Sequence, residues 1–116
     1  MQQTIYKICP EALWREAEKT GVFSGAPIDL ADGFIHFSTA DQVKETAAKH
    51  FAGQDDLLLI AIDAAKLGPE LKYEVSRGGA LFPHLYAPLD LANVLWVGPL
   101  PLGADGVHQF PALGSV

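Results

Sequence analysis

A single cysteine, Cys9, leaves the chain without an internal disulfide, so a reducing compartment is the simpler reading. No apolar run approaches the ~20 residues that a membrane helix needs. The longest, LLLIAI from Leu57 to Ile62, is strand-sized, and no membrane partner is expected. The start, MQQTIYKICPE, has no charged segment leading into an apolar stretch, so no signal peptide is expected and a cytoplasmic location is the default. Positive charge is scarce: 8 Lys and Arg against 14 Asp and Glu give a net charge of −6. That balance repels phosphate backbones and disfavours general nucleic-acid binding, while leaving room for a local basic pocket. Repeats, low-complexity tracts and linkers are absent. What is present is a globular composition, 49% hydrophobic and 19% charged over 116 residues. This suits one domain over residues 1–116, long enough to bury a core. Nothing in the sequence sets an oligomeric state.

The patterning predicts an α+β fold. TIYKIC (Thr4 to Cys9) alternates as a strand, with Tyr6 and Ile8 on one face and Ile5, Lys7 and Cys9 on the other. Pro10 suits the first turn of a following helix, in which Leu13, Trp14 and Ala17 share a side and which Gly21 ends. Val22 to Gly33 is rich in turn formers and reads as a loop that borders a site. FIHFS (Phe34 to Ser38) alternates: Ile35 and Phe37 face one way, Phe34, His36 and Ser38 the other. Thr39 to Gln42 then matches a capping box, opening a helix from about Ala40 to Phe51. DLLLIAID reads as a central strand covered on both faces, LKYEVS and NVLWVGPL as further strands, and GVHQFP as a short last one. Arg77 to Asp90, with two glycines and two prolines, reads as irregular. Two early helices against a small mixed or antiparallel sheet follow from this order.

Chemistry-bearing residues are few. The histidines, at 36, 50, 84 and 108, show no ligand spacing and Cys9 has no partner, so no metal site is predicted. No nucleophile elbow surrounds Ser38, and no phosphate-binding glycine loop exists. Cys9 borders a helix start, which would lower its pKa, against the plainer reading of a small buried residue. His36 is either a packing histidine or, with Phe34, Ser38 and the open amides of the next helix, part of a nucleotide-type site. In FPHLYAPL, two prolines stiffen a segment in which His84 and Tyr86 point the same way, unless it is only a rigid loop. Glu74 is a solvated carboxylate or one that enters a cleft, and Arg77 a solvated cation or a phosphate ligand.

The paired signatures GFIHFSTADQ and FPHLYAPL, with IYKI, LLLIAID and LKYEVS in order between Ile5 and Phe110, resemble the domain-of-unknown-function family 952. That family resembles the ADP-ribosyltransferase-like fold, a split sheet around a cleft that binds NAD in better-known relatives. FIHFS is similar to the strand around a histidine in NAD-using RNA 2′-phosphotransferases. The resemblance implies a nucleotide cleft lined by His36, Ser38 and Thr39, with Glu74 and His84 beside it and NAD as substrate. In that picture Glu74 stabilises charge as the nicotinamide–ribose bond breaks, and His36 and His84 position ribose and phosphate; Lys7, Arg77 and Tyr86, read from the residues themselves, are further candidate ligand contacts. Members of the family commonly carry IYHI in the first strand; here Lys7 replaces that histidine, and a lysine donates but cannot accept. Ala87 stands where glycine is usual. The alternatives are a binding domain that keeps the cleft without the chemistry, and an interaction domain whose histidines only pack.

Overall fold

The computed structural model describes residues 4–113, and of Arg77 the backbone only. β1 (Thr4–Pro10) pairs antiparallel along its whole length with β5 (Leu57–Asp63). The short β4 (Ser38–Thr39) lies on the free side of β1 and β9 (Val94–Pro99) on that of β5, giving the order β4-β1-β5-β9. Strand alternation then divides the core. Ile5 and Cys9 of β1, with Leu58, Ile60 and Ile62 of β5, pack against Trp14 and Ala17 of α1 (Glu11–Thr20). On the opposite face, Tyr6, Ile8, Leu57, Leu59 and Ala61 pack against Val43 and Ala47 of α3 (Ala40–His50). Every residue of β5 is buried, as its unbroken apolar run predicts.

Two smaller sheets close over the α1 side. β2 (Val22–Phe23) pairs with β8 (Leu89–Asp90), and β3 (Ile35–His36), β7 (Leu81–Leu85) and β6 (Leu71–Val75) form a sheet in the order β3-β7-β6. All these pairings are antiparallel. The small α+β class is as the sequence predicts.

Three local expectations change. The turn-rich stretch after Val22 contains a helix, α2 (Pro27–Asp32), so three helices rather than two precede β5. Pro27 fixes the first helical φ, Asp29 Oδ2 accepts from the Ala26 N–H at 2.8 Å, and Gly33 ends the turn at φ 86. Second, β7 and β8 run through the segment expected to be irregular, and β7 includes Pro83. A strand residue points its N–H and C=O to the same side. The Pro83 carbonyl accepts from Phe37 N at 3.0 Å, so its missing N–H also faces the β3 side, and the ladder to β6 loses nothing. Third, GVHQFP supplies only a bridge, His108 to Leu102.

Burial along β5 predicts a sharp contrast. Ile60→Ala should cost about 2–5 kcal/mol in urea unfolding. Val75→Ala, at a position 68% exposed on β6, should stay within about 0.5 kcal/mol.

Candidate functional site

Lys7 points to the α1 face of β1, into an apolar setting, and a buried ammonium needs a counter-charge. Asp29 of α2 supplies it: Lys7 Nζ lies 2.8 Å from Asp29 Oδ2, with side chains only 6% and 1% exposed. Lys7 also donates to the His36 carbonyl at 3.0 Å. The other Asp29 oxygen, Oδ1, accepts from the His36 backbone N–H at 3.1 Å and lies 2.6 Å from His36 Nδ1. One buried carboxylate thus joins β1, α2 and β3. Burial alone would raise the Asp29 carboxyl, but the His36 hydrogen bond, the Lys7 charge and the Ala26 amide bring it down to about 2. Gly25, at φ 124, makes room for it: a Cβ there would stand 2.9 Å from the Asp29 Cβ.

His36 is held from both ends. Its Nε2 lies 3.0 Å from Asp32 Oδ2, one helical turn beyond Asp29. The register then brings in β7, where His36 sits directly opposite His84. His84 Nδ1 lies 2.8 Å from Glu74 Oε1 on β6, and the Tyr86 hydroxyl donates to the same oxygen at 2.7 Å. The Tyr86 bond and then the His84 bond hold the Glu74 carboxyl below its usual range, and the same contact pushes the Tyr86 phenol up. Glu74 Oε2 has no partner among the described residues, and the side chain is 39% exposed. Phe34 lies amid the rings, with centroids 4.1 Å from His84, 4.6 Å from His36 and 5.2 Å from Tyr86. Lys72, paired across from His84, places Nζ 5.9 Å over the Tyr86 ring.

His36, His84, Glu74 and Tyr86 therefore converge, and other expected members do not. Lys7 is spent on Asp29 and is too buried to meet a ligand. Ser38 shares no face with His36, because the chain passes from the β3 sheet to the β1 sheet at Phe37; its hydroxyl is buried 3.0 Å from Thr46 Oγ1. Thr39 heads α3, but Gln42 Oε1 already accepts its N–H at 3.0 Å, and Gln42 Nε2 donates to Leu81 O. Gln42 thus ties the Thr39 amide and the Leu81 carbonyl to the first turn of α3. The side chain of Arg77 lies outside the described residues. Cys9 is fully buried and its thiol is pushed up to about 11, mainly by burial, the reverse of what a reactive thiolate needs.

The sequence does not single out Asp29 or Asp32. Their signal is PIDLADG read as a short helix, together with a lysine in an apolar strand that demands a buried acid. Among the described residues no group of three or more His, Cys, Asp or Glu could hold a metal, and no helix is long and apolar enough to cross a membrane. Two surface concavities, of about 410 Å³ around Trp96 and Phe110 and about 240 Å³ around Arg15 and Asp55, include none of the cluster residues.

Architecture and cluster define a small α+β domain with antiparallel sheets and a carboxylate-anchored histidine pair on one face. The chain belongs to the family described as Protein of unknown function (DUF952), whose model matches residues 8–97. It is similar to protein CC0527 from Caulobacter crescentus. The crystal structure of that protein is 54% identical, with a TM-score of 0.88 over 91% of this chain and 93% of that one. Its solution NMR structure, also 54% identical, gives a TM-score of 0.83 over 91% of each chain. No curated protein matches the chain.

Asp29→Ala leaves the Lys7 ammonium buried and unpaired and should cost about 3–5 kcal/mol in urea unfolding. Lys7→Met combined with Asp29→Asn should recover part of that loss. The folded Asp29 carboxyl is depressed from 3.8 to about 2, so its contribution is complete above pH 3.8 and lost as pH falls through 2. Urea midpoints taken between pH 5 and pH 2 should show about 2 kcal/mol of acid loss that the double variant lacks.

Proposed function

We propose that this domain has an ADP-ribosyltransferase-like fold and binds an NAD-type nucleotide on the face formed by Phe34, His36, Glu74, His84 and Tyr86. One observation carries the reading. Glu74 is kept as an anion by Tyr86 and His84, which both bond its Oε1, while Oε2 has no partner among the described residues. Rings offer a surface on which a flat base stacks, and a fixed carboxylate accepts hydrogen bonds from ribose hydroxyls. The same carboxylate suits a developing oxocarbenium cation, which is what breaking a nicotinamide–ribose bond requires. His36 and His84 then hold the ligand's position through their rings.

Binding without chemistry is the second reading, and Lys7 favours it. The residue in the place of the family's usual first-strand histidine is buried in an ion pair, so that strand presents no imidazole to a ribose.

Calorimetry with NAD and ADP-ribose, together with a nicotinamide-release assay, tests both. The transferase reading expects NAD binding with release, and Glu74→Gln should remove release while changing affinity less than tenfold. Binding with no release selects the second reading. No heat with either compound removes the nucleotide reading altogether.

A further inference from the structure

We propose that two copies of the chain associate about a two-fold axis by pairing β6 antiparallel with β6, so that Lys72 of each copy meets Glu74 of the other. The pairing stands apart from the nucleotide reading and needs none of it.

β6 is the outer strand of the β3-β7-β6 sheet. Other outer strands offer less. β3 and β4 are two residues long, and β9 is irregular against β5 at Ala61 and Ile62 and ends in Pro99. β6 pairs regularly with β7 over its five residues. The Pro83 carbonyl bonds Phe37, which places the peptide groups of Pro83 away from β6; Tyr73, opposite it, turns its own away from β7. By the strand period of two, those of Val75 and the Leu71 carbonyl point outward as well. The side chains of these residues share an apolar face. Leu71 is half-buried, Tyr73 is 38% exposed, Val75 is 68% exposed, and Leu81 across from Val75 is 53% exposed. A strand edge of this kind is a template for another strand.

Charge selects both the occupant and the register. Two copies of β6 fit antiparallel about Lys72, Tyr73 or Glu74. An axis at Lys72 opposes two lysines and sets Glu70 against Glu74, and an axis at Glu74 opposes two glutamates. With the axis at Tyr73, Lys72 faces Glu74 in both directions and Leu71 faces Val75. In that register the Val75 N–H reaches the Leu71 carbonyl of the second copy, while the Leu71 N–H keeps its bond to the Gly68 carbonyl. Lys72 and Glu74 then form a non-hydrogen-bonded pair, the kind in which facing side chains lie closest. Both have capacity for it: Glu74 Oε2 has no partner among the described residues, and the Lys72 ammonium forms no ion pair among them, lying 5.9 Å over the Tyr86 ring on a flexible stem. A lone edge lysine discourages pairing; one answered across the axis selects this chain's own sequence over other strands. Lys72 of the second copy thereby stands beside the Glu74, His84 and Tyr86 contacts, and assembly adds a cation to that face.

Sedimentation equilibrium and amide hydrogen exchange test the pairing. One strand pair buries less than a standard interface, so the expected result is a monomer–dimer equilibrium centred between about 10 µM and about 1 mM. The Val75 amide should exchange at least about threefold more slowly above that midpoint than well below it. Lys72→Glu and Glu74→Lys each set like charges across the axis and should weaken the dimer about tenfold; the two together should restore it to within about threefold of the parent. Val75→Asp, at a position exposed in the single chain, should abolish the dimer and keep the parent's circular dichroism. A chain that stays monomeric at about 1 mM overturns the proposal and leaves the edge to an extended segment of another protein. A dimer indifferent to Val75→Asp, with Val75 exchange unchanged by concentration, forms elsewhere and overturns it too. Lys72→Glu leaves the bonds of Glu74 to His84 and Tyr86 in place, so a dimer unchanged by it overturns the Lys72–Glu74 contact even where variants of Glu74 fail to fold.

Discussion

The buried pair between Lys7 and Asp29 is the constraint on which the rest of this face depends. An ammonium on the core side of a central strand is tolerable only with a carboxylate at bonding distance and with the remaining lone pairs and protons satisfied. Asp29 meets both conditions by accepting from Lys7, from the Ala26 amide and from His36. Those bonds dictate where α2 begins, how close it lies to β1, and which way the His36 ring turns. Removing the pair would therefore alter the site as much as the core.

A second constraint is the change of sheet at Phe37. β3 and β4 are separated by that residue alone and belong to different sheets. Phe37 stays buried in the core, its N–H bonded to Pro83. On one side of it, His36 joins His84 and the ring cluster; on the other, Ser38 and Thr39 are absorbed into the edge of the large sheet and the start of α3. Helix capping and the ring cluster thus divide between them a run of residues that reads as one motif in the sequence. Two histidines 48 residues apart become neighbours because antiparallel register places 36 opposite 84, and the same register sets Lys72 opposite 84 in turn.

The sequence was legible where the local signal and the final packing agree. The alternation of TIYKIC, the continuous apolar run of β5 and the Thr39 to Gln42 capping pattern each appear where expected. It misled where a local signal has two meanings. Proline argues against a strand only if its missing N–H is wanted, and at Pro83 it is not. Clustered Gly, Pro and Asp argue for a loop, yet the same residues in order start and stop the short α2. Of the clustered residues, His36, His84, Glu74 and Tyr86 were singled out in the sequence, by their types and by the family resemblance. Asp29 and Asp32 were not, because an acid's burial depends on what folds over it.

By itself the sequence determined the α+β class, the two core faces of β1 and the family, since periodicity and ordered motifs are local properties of the chain. Only the tertiary structure decided that Lys7 is buried against Asp29, that the Ser38 hydroxyl is buried beside Thr46, and that Tyr86 and His84 meet at one oxygen of Glu74. These outcomes turn on distances between residues far apart in the chain. An ion pair, a hydrogen bond or a ring contact exists only once the backbone has brought both partners within a few ångströms of each other.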